Sequence, residues 1–426
     1  MKKRILPIVA LGVTASLGLA GCAGGGDNGT DGEGQTLSVW IMKGTNPDAT
    51  AFYDEVSTAF EEKTGAKVEI EEVQWADAHD RFVTSIAGGT TPDVAETGTT
   101  WTAEFADAGA LLPLDEYVDA EDGLRDDLVE GLEVAGTYDE ELYGMPWYAG
   151  VRSLVYRTDI FEELGLEAPK TWDDIITAGE AIKAAYPEMM AFPIPGDAEF
   201  QVYPWVWGAD GEIATQDGDK WTSELDSAES QEGIQFYTDL ATKHGFSSAG
   251  ATTWKETDLS DNFAQGNVAM MLSGSWTPAS LVEAGPDLEG KIGAAVIPGK
   301  DGGIAPSVLG GSHLSIFNNT ENADLAWEFT KMMTTGEFAE KWASQTGYFP
   351  GVASAMEDAL TSTDPLVAPF AEQMVEGGAS VPVTPQFGAV QAKKTTNAMI
   401  QSILSGQDVA TATKNAAAEM TELLNQ

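Results

Sequence analysis

The sequence predicts an α/β fold divided into two domains, and three observations carry that reading. Strand-like and helix-like segments alternate from Leu37 to Val94. The 426 residues are 43% apolar, enough to bury a large core. A chain of this length ordinarily splits into more than one domain. No repeat at a period of roughly 20–50 residues marks a solenoid.

Each element follows from a local pattern. Leu37-Ser-Val-Trp-Ile41 is a buried strand, followed by a loop from Lys43 to Asp48. From Ala49 to Lys63, the apolar Phe52, Val56, Ala59 and Phe60 recur at helical spacing, and Gly65 is a stop signal. Lys67 to Val73 alternates charged and β-branched residues and predicts a strand. Ala78 to Ala87 is helical again, and Pro92-Asp93-Val94 opens a third strand. Strands alternating with helices make a parallel α/β layer. Further along, Thr171 is an N-cap ahead of Trp172, and Asp173 and Asp174 suit the helix dipole. Glu232 to Lys243 predicts another helix, Val268–Leu272 and Ile292–Ile297 predict strands, and Ala389–Leu424 predicts an almost wholly helical tail.

The N-terminus carries an export signature. Lys2, Lys3 and Arg4 precede an apolar run from Ile5 to Ala20, the layout of a secretory signal. The run is shorter than the ~20 residues of a membrane-spanning helix. Leu19-Ala20-Gly21-Cys22 resembles the lipobox of bacterial lipoproteins. That resemblance implies removal of residues 1–21 as a signal peptide and acylation of Cys22, with palmitate-like chains holding the protein on the outer face of the cytoplasmic membrane. Several acyl chains anchor stably where one does not. Cys22 is the single cysteine, so no intrachain disulfide forms. Residues 22–35, rich in Gly, Asp and Asn, form a flexible tether. Gly24, Gly26 and Gly29 match GxGxxG, but no strand precedes them and no helix follows, so they bind no dinucleotide.

Removal of the signal takes three cations, leaving 19 Lys and Arg against 68 Asp and Glu, a net charge of −49. So acidic a surface repels phosphate backbones and excludes nucleic acid as a partner. Three histidines cannot build a histidine-rich metal centre, and neither a GxSxG nor an HExxH motif occurs. Gly285 to Lys291 fits seven positions of a P-loop. Ile292 replaces its Ser or Thr, and a strand follows instead of a helix. No cofactor or metal is expected.

Nine segments, in order along the chain, resemble those of the extracellular solute-binding proteins of family 1, which include the maltose-binding protein of ABC importers. They are Leu37–Ile41, Thr91–Val94, Gly109–Leu114, Tyr143–Pro146, Val155–Asp159, Pro169–Trp172, Phe263–Met270, Gly274–Trp276 and Gly310–Gly311. Glu96–Trp101 and Ala106–Leu112 most resemble actinobacterial oligosaccharide receptors. Arg157 departs from the pattern, standing where many members carry Asn. The resemblance implies a two-lobed, periplasmic-binding-protein-like fold with a multi-strand hinge, in which residues 36–145 plus 298–335 form one lobe and 146–297 plus 336–426 the other. It implies a monomeric, non-enzymatic receptor that closes on a carbohydrate and delivers it to an ABC transporter permease. Two alternatives stand beside it: a secreted carbohydrate-active hydrolase, which needs a carboxyl of raised pKa beside the scissile bond, and a receptor of the same fold for a non-sugar solute.

A sugar site needs flat aromatic platforms and hydrogen-bonding side chains. Of twelve tryptophans, Trp172, Trp327 and Trp342 sit in helices as core residues, and Trp221 beside a turn. Trp276 occupies the position where family members stack ligand. The other candidates are Trp40, Lys43 and Asn46 after the first strand; Thr97, Thr99 and Trp101 in the loop after the third; Trp147 and Tyr148 at the first crossover; Trp205 and Trp207 after Pro204; and Tyr348 at the rim. For each aromatic the competing reading is core packing. Gly311 and Ser312 either admit ligand close to backbone or make a tight turn.

Overall fold

A computed structural model describes residues 32–44, 47–218 and 220–426. The signal, Cys22, most of the tether and Asn46 lie outside the described residues. One nine-stranded sheet runs through both halves of the protein. Its strands are β1 (Thr36–Lys43), β2 (Lys67–Gln74), β3 (Val94–Gly98), β4 (Met145–Arg157), β5 (Met270–Gly274), β6 (Ile292–Ala295), β7 (Ser307–Ile316), β8 (Phe349–Pro350) and β9 (Gly378–Ala379). They run in the order β6-β4-β7-β3-β1-β2, with β5 and β8 also paired to β4 and β9 to β7.

In the first lobe β1 pairs in parallel with β2 and β3, and helices Thr50–Thr64 and Trp75–Gly88 make the connections. Alternation along β1 sorts its side chains. Leu37, Val39 and Ile41 meet Phe52, Val56 and Phe60 on one face, while Trp40 and Met42 meet Phe82 on the other. Gly65, at φ 77°, ends the first helix and returns its N–H to Glu61. In the second lobe the Thr171 hydroxyl caps its helix by accepting from Asp174 N at 3.2 Å. Trp172, Tyr203, Tyr237 and Phe246 pack there with Met399, Ile400 and Met420 of the helical tail. Among the described residues no helix is long and apolar enough to cross a membrane.

Two strands tie the lobes together. β4 begins against β7, from Met145↔Leu314 to Val151↔Leu309. It then leaves β7 and pairs with β5, from Arg152↔Gly274 to Tyr156↔Met270. β7 pairs with β3 through Ser312–Ile316 and with β9 through Ser307 and Val308. Each strand therefore changes lobe partway along its length.

Packing outside the sheet follows the same midway division. Helix Gly336–Thr346 belongs with the first lobe, since Trp342 packs on Phe52 at 5.2 Å and on Trp147 at 4.7 Å. Residues 146–151 pair in the first-lobe sheet as well. Residues 298–308 go the other way: Trp172 Nε1 donates to Pro298 O at 3.2 Å, and Ala305 and Val308 join the second core.

Candidate functional site

A cleft of about 470 Å³ opens between the lobes along β4 and β7. Three rings from separate segments form one side of it. Tyr148 of β4 packs on Tyr348 at 4.1 Å between centroids, and Tyr348 stacks on Trp276 at 4.9 Å and 25°. Glycines make room for the indole. A Cβ on Gly150 would lie 2.4 Å from a Trp276 ring carbon, and one on Gly274 2.2 Å, so only glycine fits at either position. From the first lobe, Trp101 reaches the cleft with Trp75, ring centroids 5.4 Å apart. His79 lies against Trp101 at 5.3 Å. Its Nε2 is 2.9 Å from the Glu104 carboxylate, which raises the imidazole pKa.

The opposing wall is charged and internally paired. Arg152 forms a two-pronged bond to Glu256 at 3.0 and 3.0 Å and lies over the Phe200 ring at 5.0 Å. Lys394 donates to both Asp197 oxygens at 2.9 and 2.8 Å, and Asn397 donates to the same residue at 3.0 Å. Gln391 donates to Glu199 at 2.6 Å, while burial raises the Glu199 carboxyl above its usual range. Donors and acceptors alternate along this wall, the pattern that meets a rim of hydroxyls.

Behind the aromatic side lies Glu96, 1% exposed. Its Oε1 accepts from the Tyr148 hydroxyl and from Ser312 Oγ at 2.6 Å, and its Oε2 accepts from Met42 N at 2.7 Å. Burial pushes its carboxyl up to about 7 against these hydrogen bonds. Next along β7, burial holds His313 down at about 4. Its Nε2 donates to Leu132 O at 2.9 Å and its Nδ1 faces the Thr102 hydroxyl at 2.8 Å.

Of the residues singled out from sequence, Thr99, Trp101, Tyr148, Trp276, Gly311, Ser312 and Tyr348 line the cleft together. The remaining described candidates lie outside that lining. Ser312 opposes Tyr148 but His313 opposes Pro146, which leaves Trp147 as the extra residue of a bulge in β4. Trp147 therefore turns inward, 0% exposed and stacked on Trp342, and its neighbour Tyr148 takes the cleft. Trp205 is 0% exposed and stacks on Tyr237 in the second core. Trp207 packs against that core beside Tyr203. Trp40 falls on the face of β1 covered by helix Trp75–Gly88, between Phe82 and the Arg81 guanidinium. Thr97 is buried, its hydroxyl bonded to Thr102 and Ser315. Lys43 pairs with Glu72 at 3.5 Å, outside the cleft lining. Asn46 is outside the described residues. The loop after β1 reaches a smaller hollow of about 280 Å³ on the far side of Trp276, through Gly44, Pro47 and Asp48.

Sequence reasoning missed Trp75, Arg152, Asp197, Glu199, Phe200, Glu256, Lys394 and Asn397, all of which line the cleft. Two had a signal. Trp75 follows the end of a parallel strand, where side chains face the crevice, and Arg152 is an arginine inside an otherwise apolar strand, a residue rarely buried without a partner. Arg157, the departure noted in the sequence, is bonded to Asp159 at 2.8 and 2.6 Å and does not line the cleft.

Comparison with known proteins agrees with this architecture. Residues 43–339 match the profile of the bacterial extracellular solute-binding protein family. The diacetylchitobiose binding protein DasA of Streptomyces coelicolor is 28% identical over 441 aligned positions, covering the whole of both chains. The maltotriose-binding protein of Pyrococcus abyssi is 29% identical over 76% of this chain and 68% of its own. Among solved structures, an ABC transporter solute-binding protein from Thermotoga lettingae, bound with α-D-tagatose, superposes with a TM-score of 0.82. It is 28% identical and covers 92% of this chain and 100% of its own. The GacH receptor of Streptomyces glaucescens, at 22% identity and a TM-score of 0.80, shares the fold over 92% of this chain and 99% of its own.

Proposed function

Because the chain belongs to the bacterial extracellular solute-binding protein family, a family of binding proteins and not enzymes, we propose that it is a lipid-anchored receptor that captures an oligosaccharide between its lobes. It hands that sugar to an ABC transporter permease, working as a monomer on the outer face of the cytoplasmic membrane. The observation that carries this reading is the three-ring stack of Tyr148, Tyr348 and Trp276 facing the hydrogen-bonding wall of Asp197, Glu199 and Glu256. Apolar C–H faces of a pyranose pack on such rings, and its hydroxyls bond to paired carboxylates and their cations. A cleft of about 470 Å³ lies within the ~300–1,000 Å³ of small-molecule sites. Relatives named for diacetylchitobiose, maltotriose and arabinooligosaccharides support the sugar class. Ligand contacts are assigned to Thr99, Trp101, Tyr148, Gly311, Ser312, Trp276 and Tyr348, with Trp75, Arg152 and Lys394 added.

The test is a melting screen against mono- and oligosaccharides, since a ligand that binds only the native state raises its apparent stability. At least one oligosaccharide raises the melting temperature and is recovered intact. Stabilisation by peptides alone overturns the sugar reading, and release of shorter sugars in the same tubes overturns the receptor reading.

A further inference from the structure

We propose that Gly388 of the second lobe is the seat on which the Glu104 carboxylate of the first lobe rests when the cleft is closed. Glu104 and Gly388 are then positioning residues, and their contact sets how long a bound sugar is held. This goes beyond the carbohydrate reading of the cleft but rests on it.

The two residues belong to different lobes. Glu104 lies on helix Thr102–Asp107, just after β3, whose Phe105 and Ala106 are buried with Trp40 and Phe82 in the first lobe. Gly388 is the second residue of helix Phe387–Lys393, whose Phe387 and Val390 are buried in the second core with Met399 and Met420. A Cβ on Gly388 would stand 2.1 Å from Glu104 Oε2 and 3.0 Å from its Cδ, and the three atoms nearest it all belong to Glu104. Bare backbone of one lobe therefore meets a carboxylate of the other, closer than any side chain permits. Gly388 is not among the glycines of positive φ, so it is the space, not the backbone angle, that calls for glycine.

Both partners are held in place. The oxygen that rests on Gly388 is also the one 2.9 Å from His79 Nε2, and the imidazole lies between Trp101 at 5.3 Å and Phe105 at 6.0 Å. Turning the carboxylate aside breaks its bond to His79. Across the cleft, helix Phe387–Lys393 supports the charged wall. Gln391, three residues beyond Gly388, donates to Glu199, and Lys394, which ends the helix at φ 57°, donates to Asp197. Residues three apart share a helix face, so one short helix touches both the cleft wall and the opposite lobe. A sugar held between Trp101 and that wall keeps the two helices together, and the Glu104 contact resists their separation. The contact exists only while the lobes are together, so it acts on release and not on capture.

Gly388→Ala puts a methyl group where the carboxylate rests. With the lobes apart the methyl meets nothing from the first lobe, and alanine ranks above glycine within a helix, so the sugar-free melting temperature stays level or rises. With the lobes together Glu104 must leave His79. Losing one hydrogen bond to a charged group in the closed form speeds release about tenfold. Stopped-flow tryptophan fluorescence measures this with N,N′-diacetylchitobiose, or with the tightest sugar of the melting screen where that is another. Gly388→Ala is expected to release sugar about tenfold faster while capturing it at the wild-type rate. In a Glu104→Ala background the methyl fits the vacated space, and Gly388→Ala no longer speeds release. A Gly388→Ala protein that releases sugar at the wild-type rate overturns the proposal, as does a penalty undiminished in the Glu104→Ala background. Should Gly388→Ala not fold, Glu104→Ala alone decides. It removes the seated carboxylate and speeds release about threefold, the worth of a weak C–H···O contact, and release at the wild-type rate overturns the proposal. If no sugar binds the wild type, the carbohydrate reading itself fails, a result distinct from a binding wild type with an indifferent variant.

Discussion

Trp276 stacks on Tyr348 with ring centroids 4.9 Å apart, although one ring follows β5 of the second lobe and the other follows a helix packed on the first. The approach depends on Gly347, at φ 76°, whose Cβ would lie 2.6 Å from Ser275 O. A side chain there would push the two segments apart. The stack therefore joins the lobes at the cleft, next to the strands that cross between them.

The first prediction follows from the partial exposure of Trp276. Trp276→Ala is expected to weaken sugar binding at least several-fold, since ring stacking contributes ~0.5–1.5 kcal/mol beyond area burial. Trp147→Ala, by contrast, should cost ~3–5 kcal/mol of folding stability, the range for truncating a core aromatic. Melting temperature and sugar titration on both variants separate the roles. A Trp276→Ala protein that melts far lower yet binds normally would show the ring to be packing alone.

The second concerns closure. Among the described residues only β4 and β7 cross between the lobes within the sheet, and both change partners midway, so bending at Val151–Arg152 and Val308–Leu309 leaves each lobe's own pairing intact. Small-angle scattering should give a smaller radius of gyration with saturating sugar than without. An unchanged radius, with binding established by calorimetry, removes domain closure from the mechanism.

The third concerns the anchor. Cys22→Ala should leave the protein either uncleaved at its signal or released from the membrane. A cleaved variant that still partitions with membranes would refute acylation at Cys22.

Much of the fold was legible because its signals are local. Helix periodicity at Phe52, Val56 and Phe60, the stop at Gly65 and the Thr171 cap all depend on near neighbours in sequence. The point where one lobe gives way to the other carries no such local signal, because β4 changes partners between Val151 and Arg152 with no change in composition. The cleft was half legible. Tyr148, Trp276 and Tyr348 sit just beyond, or within, recognisable elements. Trp147 misled because a single bulge reverses which of two adjacent aromatics faces inward. Asp197, Glu256 and Lys394 come from segments far apart in the chain, and their pairing exists only once the second lobe has folded.

The last prediction sets two buried groups against each other. Glu96, raised from 4.5 to about 7 by burial, holds its proton more tightly folded than unfolded. Its contribution to stability is full below pH 4.5 and is lost as pH rises through 7. His313, lowered from 6.5 to about 4 by burial, does the reverse: its contribution is full above pH 6.5 and is lost as pH falls through 4. Each swing is on the order of 3 kcal/mol, so the two largely cancel between pH 4.5 and 6.5. Substitution unmasks them one at a time. The stability of Glu96→Gln relative to the wild type should shift in the variant's favour as pH is raised from 4.5 to 7. That of His313→Gln, whose amide can donate to Leu132 O and accept from Thr102, should shift in the variant's favour as pH is lowered from 6.5 to 4. Denaturant melts across this range measure both differences. A Glu96→Gln difference that stays constant with pH would mean that Glu96 titrates alike folded and unfolded, and that its burial costs the native state nothing.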